Sequence, residues 1–264
     1  MALGLKANDW VWTSPNSFVA SSNSAIYCGA KIDFVDIDPK TFNLSATKLS
    51  DKLKKTTKNR LPKIVIPVSF AGQSCEMEEI KKLSKIYKFK ILEDASHSLG
   101  AKYKNKPIGN GKYADIGVFS FHPVKHIACG EGGMLTTNSE DVYKKLSLLR
   151  SHGITKDNME EDHGGWFYEM QELGFNYRLT DLQSALGITQ LSKNDIGVEK
   201  RNEIAENYKI AFKGKIKFQS VLSNFYNAHH LFIIEINERK SMYDFLRKHN
   251  ILTQIHYIPV HTLP

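Results

Sequence analysis

The chain has 264 residues, which is enough for one large domain or for a large domain followed by a small one. Its 41% hydrophobic and 24% charged residues are typical of a globular protein. No apolar run approaches the roughly 20 residues that a membrane-spanning helix needs. The net charge of +8 comes mainly from lysines spread along helical stretches. We therefore interpret it as a solvated basic surface and not as a nucleic-acid site, which would interleave basic and aromatic residues.

The first two thirds of the chain alternate between short β-rich runs and amphipathic runs. Apolar residues at helical spacing in Met77–Tyr87 predict a helix there. The predicted strands are Trp10–Thr13, Ile32–Asp36, Lys63–Val68, Phe89–Glu93, Ile116–Phe121 and Gly133–Thr137. The predicted helices are Ser17–Tyr27, Ser45–Lys54, Met77–Tyr87 and Asp141–Leu149. This alternation favours an α/β fold with a mainly parallel sheet.

The last third has a different pattern. Thr155–Glu172 shows no clear period, and we expect a long loop. A helix is predicted over Thr180–Leu191, with Thr180 as its N-cap. The elements after it are predicted to be helix Val198–Phe212, strand Leu231–Ile236, helix Ser241–Lys248 and strand Thr253–His256. We therefore expect a large α/β domain over residues 1–194 and an α+β domain over residues 195–264.

The segment Ile91–Ala101 places polar residues where an apolar strand ends. The strand runs into Glu93 and Asp94, and small residues and His97 follow. In open α/β sheets, ligands bind at the carboxyl ends of strands. A carboxylate at this point either faces a ligand or caps a helix, and this segment alone does not decide between the two.

A second strand ends at Ser120-Phe121-His122, and a turn with Pro123 then leads to Lys125. A lone lysine is ordinarily a surface residue, but one in a tight turn at a strand's carboxyl end is poorly explained in that way. Such an amine can form a Schiff base with an aldehyde cofactor. The pyridine ring of that cofactor then needs a carboxylate beside its nitrogen, and Asp94 fits that role.

Three motifs in this order carry a resemblance to a known family. The segments EDASHSLGA, SFHPVKHIACGEGG and GFNYRLTDLQSALGITQL resemble the DegT-type sugar aminotransferases, which are fold-type I enzymes that use pyridoxal phosphate. The resemblance runs through nearly the whole chain. It implies a large domain with a mainly parallel sheet flanked by helices, followed by an incomplete α+β small domain.

The resemblance also implies roles for individual residues. Lys125 would hold pyridoxal 5'-phosphate and move the proton during amino transfer, and Asp94 would pair with the pyridine nitrogen. His97 would lie near the ring oxygen of the cofactor, and Ser120 would bind its phosphate. Phe18 would stack on the ring, with a place in the helix core as the alternative.

Further residues would serve the substrate and a second subunit. Asn176 would reach the phosphate bound by a neighbouring subunit, which implies a homodimer with composite active sites. Arg178 either assists the anionic ligands or braces its loop. His256 and Tyr257 would meet the nucleotide-sugar, with a structural role at a strand end as the alternative.

The segment Arg150–Asp181, with its HGGWFYEM loop, resembles the family members of the pseudaminic acid pathway. Those enzymes transfer the amino group of glutamate to C4 of a UDP-linked 4-keto-6-deoxy-N-acetylhexosamine. Two alternatives remain, an aminotransferase for another nucleotide keto-sugar and a catalytically silent fragment. A sister class that removes a sugar hydroxyl has histidine in place of the lysine, and Lys125 argues against it.

Other features set further expectations. Family members carry a preceding phosphate-binding turn and a longer small domain, so we expect this chain to be truncated at both ends. The start shows no signal peptide, and Cys28, Cys75 and Cys129 are too far apart for a metal cluster or a disulfide framework. We therefore expect a cytoplasmic enzyme without metal, membrane or nucleic-acid partners.

Overall fold

A computed structural model describes residues 1–157, 159 and 163–264. The strands of the central sheet and its surroundings are β1 Trp10–Thr13, β2 Lys31–Phe34, β3 Pro62–Ile66, β4 Lys90–Asp94, β5 Lys102–Tyr103, β6 Lys106–Pro107, β7 Ile116–Ser120, β8 Gly133–Thr136, β9 Ile154–Thr155, β10 Glu169–Met170, β11 Lys217–Phe218, β12 Phe225–Tyr226 and β13 Ile234–Glu235. The α-helices are α1 Ala20–Ile26, α2 Ala46–Lys55, α3 Met77–Tyr87, α4 Glu140–Arg150, α5 Asp181–Leu191, α6 Asn194–Phe212 and α7 Arg239–Lys248. Short 3-10 turns lie at Lys58–Arg60, Phe70–Gly72 and Val260–Thr262.

The central sheet has the strand order β2-β1-β3-β4-β7-β8. Its neighbours are parallel except for β7 and β8, which are antiparallel. The mainly parallel α/β sheet predicted from the sequence is confirmed. Because parallel strands end at the same edge, the carboxyl ends of β3, β4 and β7 lie side by side, and Asp94 pairs with Val118 at that edge.

Helices cover both faces of this sheet. On one face, Leu49 of α2 and Ile80 of α3 pack with Trp12, Val65 and Ile91 in the main core, and all five side chains are buried. Removing an aliphatic side chain of this size from water contributes about 1.5–3 kcal/mol. On the other face, a smaller cluster joins α1 to the sheet through Val11, Ala25, Ala30, Ile64 and Ile66. The sheet is therefore held from both sides.

The helix predictions are largely confirmed, with shifts at their ends. Helix α5 opens with a capping box between Thr180 and Gln183, as its predicted N-cap requires. Helix α6 begins at Asn194, four residues earlier than predicted, and its Val198 belongs to the main core. The division of the chain at residue 194 remains a prediction.

The strand predictions of the last third are partly wrong. Thr253–His256 is not a strand, and the Thr253 carbonyl instead accepts a hydrogen bond from Arg247 of α7 at 3.2 Å. The strand predicted over Leu231–Ile236 is reduced to β13, because the backbone N–H of Leu231 turns away to the Ala71 carbonyl. β13 pairs with β11, which the sequence did not predict.

The predicted loop Thr155–Glu172 is wrong at its two ends, where β9 and β10 pair as antiparallel strands. Residues 158 and 160–162 of this loop, and of the pseudaminic-type segment, lie outside the described residues. Another small sheet, β12-β5-β6, was also not predicted, because two-residue strands leave no period in a sequence. No helix of the described ranges is long and apolar enough to cross a membrane.

Candidate active site

Asp94 ends β4 at the carboxyl edge of the sheet, and its backbone is fixed on both sides. Its carbonyl accepts the Ser69 N–H at 2.9 Å, and its N–H donates to the Pro67 carbonyl at 2.9 Å. In the side chain, Oδ2 accepts the Ser21 hydroxyl at 2.7 Å and Oδ1 accepts the Ser96 N–H at 3.1 Å. The carboxylate is therefore held in one orientation on a rigid strand end.

Lys125 lies in the turn that follows β7, one strand along the same edge. Its N–H donates to the His122 carbonyl at 2.9 Å, and the turn closes where the Cys129 N–H donates to the Phe121 carbonyl at 3.0 Å. Burial lowers the pKa of the Lys125 amine, while the nearby Asp94 carboxylate acts in the opposite direction. A larger share of neutral amine, the form that attacks a carbonyl carbon, follows from the lowered pKa.

His97 is 4% exposed and lies between the strand ends and the C-terminal segment. The Ala71 N–H donates to its Nδ1 at 3.4 Å, so Nε2 carries the hydrogen in the neutral ring and donates to the Tyr257 hydroxyl oxygen at 3.2 Å. Burial, and next the charge of Lys125, lowers the pKa of His97 to about 2. The imidazole is therefore a neutral hydrogen-bond donor at physiological pH.

The structure also brings His256, Tyr257 and Phe18 to this edge. The Tyr257 ring lies 6.2 Å from the Phe18 ring and 6.0 Å from the Phe70 ring. Burial and then the Asp94 charge raise the pKa of Tyr257 to about 12, while burial and then the Lys125 charge lower the pKa of His256. Phe18 itself is 59% exposed and precedes α1, so it is not in the helix core. The roles of these three residues in binding remain predictions.

The other three predicted site residues are Ser120, Asn176 and Arg178. Ser120 ends β7, opposite Gly133, and its hydroxyl accepts the His122 N–H at 3.4 Å. Asn176 forms an antiparallel bridge with Ser151, and Arg178 follows it in the same exposed segment. The structure gives Asn176 and Arg178 no contact with Asp94 or Lys125 within the described part of this subunit. Their predicted roles in ligand binding are untested.

Three residues of the site, His126, His230 and Ser21, were not predicted from the sequence. The His230 ring lies 4.4 Å from the His97 ring and 5.5 Å from the His126 ring. Burial, followed by the Lys125 charge, lowers the pKa of His230 to about 3, and burial lowers that of His126 to about 4. One signal was available for His230, because a histidine pair opens the apolar run HHLFII in a region predicted as strand. Ser21, in a run of small polar residues, offered none.

The residues at this edge fit pyridoxal phosphate. An amine with a lowered pKa is available for its aldehyde, and a hydrogen-bonded carboxylate is available for its ring nitrogen. Buried polar atoms without a partner among the described residues lie near them, at Ser69 Oγ and His230 Nδ1. The described residues contain no group of three or more His, Cys, Asp and Glu side chains arranged to hold a metal ion.

Comparison with known proteins agrees with the fold. The whole chain, residues 1–264, matches the DegT/DnrJ/EryC1/StrS aminotransferase family. The chain belongs to this family of enzymes, whose members depend on pyridoxal phosphate. The family resemblance and the cofactor expected from the sequence are confirmed.

Among its relatives, the chain is 40% identical over 258 residues to the UDP-4-amino-4,6-dideoxy-N-acetyl-beta-L-altrosamine transaminase of Campylobacter jejuni. The match covers 95% of this chain and 66% of the relative, so the chain spans about two thirds of that enzyme's length.

Solved structures have the same fold. Helicobacter pylori PseC, an aminotransferase of pseudaminic acid biosynthesis, superimposes with a TM-score of 0.86 at 33% identity, over 97% of this chain and 67% of PseC. The sugar aminotransferase Spr1654 of Streptococcus pneumoniae in its PMP form superimposes with a TM-score of 0.87 at 27% identity, over 99% of this chain and 71% of Spr1654.

Proposed function

We propose that this protein transfers the amino group of glutamate to C4 of a UDP-linked 4-keto-6-deoxy-N-acetylhexosamine, in the biosynthesis of pseudaminic acid. The observation that carries the proposal is the half-buried Lys125 amine, which lies close enough to the Asp94 carboxylate at the carboxyl edge of the sheet to feel its charge. The 40% identity to a transaminase of a UDP-linked amino sugar supports the choice of substrate.

Pyridoxal phosphate, when bound, supplies an aldehyde that exchanges amino groups and a ring that withdraws electrons from the reacting carbon. Asp94 would accept a hydrogen bond from the protonated ring nitrogen, and the Ser21 hydroxyl, which donates to the Asp94 carboxylate, would keep that carboxylate oriented. Because a carboxylate favours the protonated form of a nearby nitrogen, Asp94 would keep the ring able to withdraw electrons.

Lys125 has two tasks in this mechanism. It would hold the cofactor through its Nζ atom and, once released from the cofactor, Nζ would take a proton from the cofactor carbon and give it to C4 of the sugar. Burial lowers the pKa of Lys125, which increases the share of neutral Nζ that is able to accept a proton. His97 is neutral, and its Nε2–H, which donates to the Tyr257 hydroxyl in this structure, would instead donate to an oxygen substituent of the ring when the cofactor is bound.

A homodimer with composite sites is part of the proposal. Helix α5 has no buried residue in the described subunit, and Leu182 is 86% exposed and Ile188 72% exposed. An apolar surface of this kind is typical of a subunit interface. A second copy covering α5 would bring its Asn176 and Arg178 toward the phosphate and the nucleotide.

We also place the enzyme in the cytoplasm. Cys28, Cys75 and Cys129 are free thiols, which suits a reducing compartment. The soluble nucleotide-sugar and glutamate that the proposal requires are consistent with that location.

The test begins with absorbance spectra of the purified protein with added pyridoxal phosphate, before and after borohydride, followed by peptide mapping. Attachment at Lys125, together with glutamate-dependent amination of the UDP-linked 4-keto sugar, is the expected result. Attachment at Lys125 with amination of a different nucleotide keto-sugar would reject the substrate and keep the class. A folded protein that binds no pyridoxal phosphate would reject the enzyme function.

A further inference from the structure

His126 follows the reactive lysine directly, and its side chain reaches away from the turn. Its Nε2 lies 3.0 Å from the Ala228 carbonyl oxygen, 102 residues further along the chain. A carbonyl only accepts hydrogen bonds, so Nε2 carries the hydrogen and donates it. By contrast, the hydrogen bonds that the His122 and Val124 N–H groups donate stay within the loop. His126 thus gives the lysine turn an anchor on a remote segment.

The acceptor of this hydrogen bond belongs to a firmly held segment, residues 227–230. Ala228 is fully buried, and its N–H donates to the Gly72 carbonyl at 3.0 Å. A side chain at Gly72 would lie 2.6 Å from Asn227 Oδ1, so the two segments pack at a distance that only glycine permits. Gly72 also follows the Ser69 that binds the Asp94 backbone, which links the anchor to the strand end of the site.

Helix α6 holds the same segment from the other side. Arg201 donates from one guanidinium nitrogen to the carbonyls of His229 and His230, at 3.2 and 3.4 Å. Asn202 donates to the Asn227 carbonyl at 3.0 Å. The Ala228 carbonyl is therefore oriented by hydrogen bonds on its neighbours, and it offers His126 a fixed acceptor.

We propose that His126 is a positioning residue for Lys125: its hydrogen bond to the Ala228 carbonyl ties the lysine turn to residues 227–230 and keeps the Lys125 amine in its half-buried place beside Asp94 and His97. The proposal rests on Lys125 as the reactive amine of the proposed function. Without the anchor, the turn separates from residues 227–230 and water reaches the amine. The energy at stake is that of one buried hydrogen bond, whose loss leaves the Ala228 carbonyl unpaired.

The test measures the Lys125 amine directly and needs no cofactor. The purified protein is treated briefly with formaldehyde and cyanoborohydride across a pH series, and methylation of Lys125 is quantified by peptide mapping against the exposed Lys85 of α3. The variants are His126→Leu, which removes the donor, and His126→Gln, which keeps a side-chain N–H. His249→Leu is the matched control, because His249 also bonds a backbone carbonyl, that of Phe245, but on the surface of α7.

His126→Leu is expected to raise the pH midpoint of Lys125 methylation by about one unit, a tenfold change in the neutral fraction at a given pH. His126→Gln and His249→Leu should keep the wild-type midpoint. An unchanged midpoint in His126→Leu, or no rescue by glutamine, overturns the proposal even if the melting temperature falls, because a purely structural role moves only stability.

A second measurement covers the case in which His126→Leu does not fold. Nitrogen-15 spectra of histidine-labelled wild-type protein should show His126 as the Nε2–H tautomer, and the opposite tautomer overturns the proposal. The proposed function fails separately, since a protein that binds no pyridoxal phosphate can still show the His126-dependent midpoint.

Discussion

Two regions of the molecule reverse the usual distribution of side chains. At the carboxyl edge of the sheet, titratable groups such as Glu93 and His97 are buried. On helix α5, large apolar groups such as Leu182 and Ile188 are exposed. Each arrangement costs the isolated subunit free energy, since buried ionisable groups lose hydration and exposed apolar groups order water.

The two costs differ in how the molecule offsets them. The buried groups of the sheet edge are held by the chain itself, as with the Gly109 N–H that donates to the buried Glu93 carboxylate. The apolar face of α5 has no such partner among the described residues of this subunit, and its cost falls only when another surface covers it. Variants at the edge should therefore change chemistry, and variants on α5 should change assembly.

The largest effect is expected from Lys125→Ala. The substitution removes the amine that is proposed both to hold the cofactor and to carry the proton. The rate of amino transfer should therefore fall by a factor on the order of 10⁴. Stability should be unchanged or slightly higher, because a half-buried amine is removed. A coupled assay of glutamate consumption and a thermal melt measure the two quantities. Appreciable turnover by the folded variant would contradict the assignment.

Asp94→Asn should lower turnover by about 100-fold. The amide keeps the shape of the carboxylate and can still accept the Ser21 hydroxyl, but it lacks the charge that keeps the ring nitrogen protonated. Ser21→Ala is the control, since it removes the orienting bond and leaves the charge, and its effect should be smaller, about tenfold. The initial rate of amino transfer at saturating substrate measures both. An Asp94→Asn enzyme with an unaltered rate would remove the proposed role.

The elements of the sheet layer could be predicted from the sequence. The period of apolar residues identified the strands and helices of the sheet layer, because burial on one or two faces imposes a regular pattern. Asp94 and Lys125 were found because each lies within four residues of the end of such a strand, and His97, three residues after Asp94, entered through the family resemblance. The α/β class and the convergence of these three residues could therefore be predicted.

Contacts between distant segments could not be predicted in this way. His126 meets Ala228 across 102 residues, and Ser21 meets Asp94 across 73. Such contacts depend on how α6 and residues 227–230 pack against the sheet, and no local pattern records them. The strand predicted over Thr253–His256 was wrong for a related reason. Its alternating residues resemble a strand, but Arg247 of α7 donates a hydrogen bond to the Thr253 carbonyl.

Glu93 precedes Asp94 in β4, but it is a buried carboxyl group without a proposed role in the reaction. Its side chain is 5% exposed, and burial is the main cause that raises its pKa from 4.5 to about 7, with the Gly109 N–H opposing and Asp94 adding to the shift. A raised pKa in the folded state means that the stabilising contribution is complete below pH 4.5 and is lost as the pH rises through about 7. Each pKa unit corresponds to about 1.4 kcal/mol, so the loss is on the order of 3 kcal/mol.

Glu93→Gln should remove this pH dependence, because the amide oxygen still accepts the Gly109 N–H at 3.1 Å and no charge is buried. Urea unfolding of both proteins at pH 5 and pH 8 measures the pH dependence of the free energy of unfolding. Burial raises the pKa of the nearby Cys75 thiol, so this group stays protonated at both pH values. The expected difference between them is large at pH 8 and small at pH 5. Equal differences at the two pH values would show that the carboxyl is not ionising in this range.

The smallest effect is expected on α5. Leu182→Glu should weaken self-association by about 30-fold, the equivalent of about 2 kcal/mol, because a charge would replace an apolar side chain at the covered surface. Ile210→Glu on α6 is the matched control, since Ile210 is 74% exposed but lies on another helix. Sedimentation equilibrium measures association, and the urea midpoint of the dissociated chain should change little in either variant. Equal effects of the two substitutions would mean that α5 is not the interface, and an unchanged association in Leu182→Glu would leave its apolar face without a role in assembly.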